Sequence, residues 1–212
     1  MTILFLHGWG ADEHTFTPIR TFFGSNARCI FINFDCNPQH VYNLEDYTIH
    51  VEQALEREQI TSCCIIAHSF GARVAVLLAT RNPGMVEKMV LTGAAGIPPR
   101  PSLYKWLKIK WYKLTGLGRG STDYRKLSAA GRHTFQNIIH RDLRPEIASL
   151  TVPALLVYGS RDKSTPLYMG KMWTKLQRNA MLKVYRHAGH FCFIDNPGAF
   201  IKDTWEFLLC SH

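Results

Sequence analysis

The sequence predicts an α/β fold: a mostly parallel sheet of about six strands with helices on both faces and a short helical cap inserted between two strands. Three observations predict it. Short β-rich apolar runs recur along the chain, segments of helical period lie between them, and one stretch, 97–148, breaks the alternation.

The apolar runs are Thr2–Leu6, Cys29–Asn33, Cys63–Ala67, Met89–Thr92, Ala154–Tyr158 and Leu182–Tyr185. Strands of a parallel sheet are covered on both faces, so they read as apolar runs, and the crossovers between them are usually helices. Helical spacing marks Leu44–Arg57, Gly71–Arg81 and Pro197–Leu209, and Asn82-Pro83-Gly84 is a strong stop signal after the second. The insertion from Ile97 to Ala148 carries Pro98-Pro99 and Gly116, Gly118 and Gly120. Within it, Leu103–Leu114 and Arg132–Ile139 read as amphipathic helices. No internal repeat is detected.

A chain of 212 residues suits one domain, 1–212, with the cap at 97–148 inside it. Apolar residues at 46% and charged residues at 19% are an ordinary globular balance, which excludes a disordered or low-complexity chain. No apolar stretch approaches the roughly 20 residues of a membrane span, so no transmembrane segment is expected. The start, Met1 to His7, has neither a basic leader nor a small-residue cleavage site, and a cytoplasmic location is expected. Cys29, Cys36, Cys63, Cys64, Cys192 and Cys210 lack C-x-x-C spacing and read as core thiols, Cys63 and Cys64 facing opposite sides of a strand. Ten histidines are scattered without metal-ligand spacing, so neither metal nor cofactor is expected.

Chemistry concentrates at strand ends. Cys63–Ala67 runs into His68-Ser69-Phe70-Gly71 and then at once into the helix-forming Ala72 to Ala79. A strand-to-helix turn this tight needs small residues two before and two after the serine, here Ala67 and Gly71, and it lifts the hydroxyl above the sheet. This resembles the nucleophile elbow of the α/β-hydrolase fold family, with Ala67 in place of the usual first glycine. Taken alone, Ser69 could simply cap the helix.

Other segments extend the resemblance. The first strand ends in His7-Gly8-Trp9-Gly10, similar to the family's oxyanion loop, which implies the amides of Trp9 and Phe70 as the two oxyanion donors. Gly159-Ser160-Arg161-Asp162 follows a strand and matches the acid-bearing loop; His187-Ala188-Gly189-His190 follows another and matches the Gly-His segment. The order Ser69, Asp162, His190 is the family's order. A serine hydroxyl is a weak nucleophile until an imidazole takes its proton, and a carboxylate must fix the imidazole's tautomer. Asp162 as a turn former, His190 as a loop histidine and His7 as a satisfied structural histidine are the bland alternatives, whereas for His68, His187, Asp35 and Asp195 the structural reading is the preferred one. Asp195 is the fallback acid. No strands precede the one that ends in the oxyanion loop, so the family's leading hairpin is expected to be missing.

Charge is concentrated in the insertion. Residues 100 to 144 hold eleven lysines and arginines against Asp123 and Asp142, a difference of +9 that equals the net charge of the whole chain. Lys105, Lys108, Lys110 and Lys113 interleave with Leu103, Tyr104, Trp106, Leu107, Ile109, Trp111 and Tyr112. Such a face suits an acidic protein, anionic lipid or carboxylate substrate, or is merely a solvated lid surface. Nucleic acid is not expected, because no nucleic-acid-binding fold is recognisable.

The resemblance implies a serine hydrolase acting on a small or medium acyl substrate, an ester or thioester, through an acyl-enzyme on Ser69. The His-Gly-Trp-Gly loop with a basic cap is loosely similar to the esterases that free pimeloyl groups on acyl carrier protein. Two other functions stay open: carbon–carbon hydrolysis or elimination of the menaquinone-synthesis type, and a catalytically silent module that binds an acidic partner.

Overall fold

The apolar runs pair into one six-stranded sheet, parallel at every step. The structure is a computed structural model that describes residues 1–99 and 126–210. Its strands are β1 (Thr2–Leu6), β2 (Arg28–Ile32), β3 (Cys63–His68), β4 (Val86–Thr92), β5 (Ala154–Gly159) and β6 (Ala180–Tyr185), in the order β2-β1-β3-β4-β5-β6. The chain steps outward from β1 to β2, returns past β1 to β3, and then proceeds steadily to β6. That reversal makes β1 and β3 the switch point of the sheet, and crevices for ligands open there, beyond the carboxyl ends of the strands.

Alternate residues of each strand feed two cores. On one face Leu4, Leu6, Ile65, Ala67, Met89, Leu91, Leu156 and Tyr158 pack with α2 (Leu44–Arg57), α3 (Phe70–Arg81) and α6 (Leu167–Leu176). On the other, Ile3, Phe5, Cys64, Ile66, Val90, Leu155 and Val157 meet α1 (Thr17–Asn26), the short α7 (Cys192–Asp195) and α8 (Pro197–Leu209). Cys63 and Cys64 accordingly fall in opposite cores. None of the six cysteines is paired; Cys63, Cys64 and Cys192 are buried, while Cys210 is exposed and so departs from the core-thiol expectation.

The helices start where capping chemistry allows. Asn43 accepts from the Asp46 amide while the Asp46 carboxylate accepts from the Asn43 amide, a reciprocal box that satisfies two donors at the head of α2. Between β4 and β5 lie α4 (Ala129–His140) and α5 (Arg144–Ser149). The helix expected at Arg132–Ile139 is thus three residues longer at its start, where Ser128 caps Gly131. The segment Leu103–Leu114 lies outside the described residues. Strand β4 begins at Val86 rather than Met89, since Val86 pairs with Cys63 across a register irregularity. Its Lys88 reaches the terminal carbonyls of α8, at Phe207, Leu208 and Cys210, where cations are favoured. No helix of the described residues is long and apolar enough to cross a membrane.

Candidate active site

Ser69 stands between the end of β3 and the first residue of α3 with φ 50° and ψ −106°, a strained conformation for a residue with a side chain. The surroundings hold it there. Its amide donates to the Thr92 carbonyl at 3.0 Å, and its own carbonyl accepts from Ala72 and Ala95, each at 3.2 Å. A Cβ at Gly71 would lie 2.2 Å from the Leu6 carbonyl oxygen, so only glycine lets α3 start this close to β1. Ala67, fully buried between Leu6 and Leu91, meets the demand for a small residue on the strand side.

Two neighbouring strand ends deliver the partners. Asp162 follows β5 and His190 follows β6; His190 Nδ1 lies 2.7 Å from Asp162 Oδ2, and Nε2 lies 3.0 Å from Ser69 Oγ. A carboxylate only accepts, so Nδ1 donates to Asp162 and the Nε2 of the neutral ring accepts from the serine hydroxyl. The other carboxylate oxygen accepts from the Ser164 and Thr165 amides at 2.8 and 2.9 Å. Burial disfavours this charge, but the hydrogen bond and electrostatic attraction of His190 and the Thr165 donors outweigh it and hold the pKa of Asp162 below the usual carboxylate value.

The oxyanion candidates border the same space. Trp9 and Phe70 face each other edge-on, ring centroids 5.4 Å apart, and both line a cavity of about 350 Å³ together with Ser69, Arg73, Ile97, Phe135, Ile138 and Met169. Among the described residues neither the Trp9 nor the Phe70 amide has an acceptor: Phe70 opens its helix, and the turn around Trp9 is closed by Ala11 N–H to Gly8 and Gly10 N–H to Cys36 Sγ. A second hollow of about 570 Å³ shares Trp9, Ser69, Phe135 and Ser164 with the first and adds His190 and Lys126.

The remaining candidates hold the frame. Asp195 accepts from the Gly189 amide at 2.7 Å and shapes the histidine loop instead of meeting the imidazole. Asp35 turns its own loop by accepting from Asn37, and exposed His187 lies 3.0 Å from an Arg161 nitrogen. His7 is satisfied at both nitrogens, donating to the Gly8 carbonyl and accepting from the Phe34 amide. Among the described residues no three His, Cys, Asp or Glu side chains gather as a metal site does.

Three further neighbours border the triad: Thr165 and Arg73, which the sequence does not single out, and His68, which it reads as structural. Thr165 places its hydroxyl 2.8 Å from Asp162 Oδ2, 3.0 Å from the Gly93 carbonyl and 3.2 Å from His190 Nδ1. His68 packs its ring 4.6 Å from that of His190 and donates from Nδ1 to the Thr92 carbonyl. Arg73 lies one turn into α3 and lines the cavity. Its only signal in the sequence is a charge interrupting the apolar run from Ala72 to Ala79.

A doubly wound parallel sheet with a strained serine at its switch point defines the class, a hydrolase of the α/β type. The chain belongs to the alpha/beta hydrolase family, whose profile matches residues 3–203. It is 24% identical to the pimeloyl-[acyl-carrier protein] methyl ester esterase of Pseudoalteromonas atlantica over 95% of this chain and 92% of that one. It is 26% identical to a strigolactone esterase of Pisum sativum over 44% of this chain, an alignment spanning 38% of the pea protein. Among solved structures, an esterase from Exiguobacterium antarcticum superposes with a TM-score of 0.80 at 16% identity, covering 99% of this chain and 92% of that one.

Proposed function

We propose that the protein is a serine esterase or related acyl hydrolase that works through an acyl-enzyme on Ser69. The observation that carries this reading is the continuous relay from Asp162 through His190 to the Ser69 hydroxyl, ending at a cavity wall. As Oγ attacks the acyl carbonyl, its proton passes to His190 Nε2, and Asp162 stabilises the imidazolium that results. The amides of Trp9 and Phe70 receive the negative charge that moves onto the carbonyl oxygen. Collapse of the tetrahedral species sends the Nε2 proton to the departing alkoxide, leaving the acyl group on Ser69. Water, deprotonated by the same nitrogen, then releases the acid and restores the serine.

The segment 97–148 is the cap of this single domain: Ile97, Phe135, Ile138 and Ile139 supply much of the apolar wall of the cavity, as an acyl chain requires. Nitrophenyl esters of rising chain length test the reading. Wild type should release nitrophenol with a chain-length preference, and Ser69→Ala should not; equal turnover by the variant would refute it.

A further inference from the structure

Arg73 is the one buried lysine or arginine of the described residues, 6% exposed. Its Nη1 donates to the Arg141 carbonyl at 2.8 Å and its Nη2 lies 3.5 Å from the Ile139 carbonyl. Among the described residues no carboxylate lies within ion-pair distance of it: Glu45 and Glu146 meet Arg141, and Asp142, held by Arg144, acts on Arg73 only at longer range. Burial pulls its pKa down to about 10, which leaves it charged at neutral pH. A guanidinium has five donors, so three remain beyond the two carbonyl contacts. The other buried charge of the site, Asp162, is by contrast paired with His190.

A buried charge with no carboxylate in contact among the described residues is costly, and this one lines a cavity whose other walls are mainly apolar. Ser69 caps α3 and Arg73 is the fourth residue of that helix, about one turn beyond the serine. We propose that Arg73 is the carboxylate-binding group of the acyl pocket and selects esters whose acyl part carries a carboxylate a few carbons from the scissile carbonyl. The planar fork of the guanidinium matches a carboxylate, and a dry surround strengthens the pair. This rests on the acyl-hydrolase reading above and extends it to a substrate class. A guanidinium that only ties the Ile139–Arg141 turn to α3 predicts no response to substrate charge.

The test compares mono-4-nitrophenyl glutarate with 4-nitrophenyl pentanoate, esters of similar length that differ in one carboxylate. Wild type should favour the glutarate ester in kcat/KM. Arg73→Met should lower the acid-to-neutral ratio about 100-fold, and Arg73→Lys should recover part of it. Because Arg73 also contacts the cap backbone, wild type supplies a second readout that needs no variant. Free glutarate should inhibit pentanoate-ester hydrolysis competitively, at concentrations roughly tenfold below those of glutaramide. Hydrolysis of both esters with no preference for the acid and equal inhibition by the two additives would overturn the proposal while leaving the hydrolase reading intact. Cleavage of neither ester, with no reaction of Ser69 toward a fluorophosphonate, would instead remove the hydrolase reading and this proposal with it.

Discussion

At the scale of single residues, position explains which side chains were legible. Ser69, Asp162 and His190 each follow an apolar run, and their order along the chain pointed to one site before any distance was known. What matters about Thr165, His68 and Arg73 was not legible, because it is proximity between segments far apart in the chain: Thr165 to the Gly93 carbonyl, His68 to His190, Arg73 to the Arg141 carbonyl. The choice between carboxylates makes a sharp prediction. Asp162→Asn should cut kcat by about 10⁴-fold, since an amide cannot hold the imidazole in the tautomer that accepts from Ser69. Asp195→Asn should cost far less, as among the described residues that carboxylate accepts from the Gly189 amide and does not meet the imidazole. A larger loss in Asp195→Asn, in steady-state assays of both, would reverse the assignment.

His68 adds a stability prediction. Its ring is fully enclosed, and burial, reinforced by His190, pushes its pKa down to about 3. The folded protein therefore keeps His68 neutral while the unfolded chain takes up its proton below about 6.5. Stability should fall as pH drops from that value toward about 3, by up to about 1.4 kcal/mol per pH unit from this residue. His7, shifted in the same direction by its own burial, adds to the decline. Urea unfolding at pH 6, 5 and 4 should show a shallower decline in His68→Gln than in wild type; parallel declines would mean that His68 does not contribute.

At the scale of elements, the strands were readable because a parallel sheet must be apolar on both faces, and only their ends moved, as with β4 starting at Val86. Helices α2 and α8 were found at their observed bounds because their apolar stripes run for three turns or more. α1 and α6 were not, since each has only ten residues and buries two or three of them, and the prolines at their heads, Pro18 and Pro166, were the sole start signals. The junction of β3 and α3 depends on one missing atom. Gly71→Ala would drive a methyl group to 2.2 Å from the Leu6 carbonyl oxygen, a backbone atom that cannot turn aside. The expected cost is about 3 kcal/mol or more, with activity lost alongside, because the elbow and β1 must separate. A thermal melt within two degrees or so of wild type would contradict so tight a packing.

At the scale of the molecule, the sheet order places the Trp9 loop and Ser69 at one switch point, and Ile97, Pro99 and residues of α4 line the cavity beside them. The fold class was legible down to the number of strands. The basic segment Leu103–Leu114 falls outside the described residues. If its lysines draw acidic substrates toward the site, replacing Lys105, Lys108, Lys110 and Lys113 with glutamate should lower kcat/KM for an acidic ester far more than for a neutral one. That contrast should shrink as salt rises, because exposed charges are screened over about 8 Å at physiological ionic strength. The preference assigned to Arg73 should survive added salt better, since its guanidinium is buried. Equal losses for the two esters would mean that the cap had been distorted, and unchanged rates for both would mean that its charge has no part in turnover.

The central claim is that the Ser69 hydroxyl is the attacking nucleophile, made reactive by His190. The most direct measurement is peptide mass spectrometry of the protein after treatment with a fluorophosphonate. The account predicts a single phosphonate adduct on the peptide that contains Ser69, strongly slowed in His190→Ala and absent in folded Ser69→Ala. Labelling that persists in Ser69→Ala, or an adduct on another residue of the wild type, would contradict it.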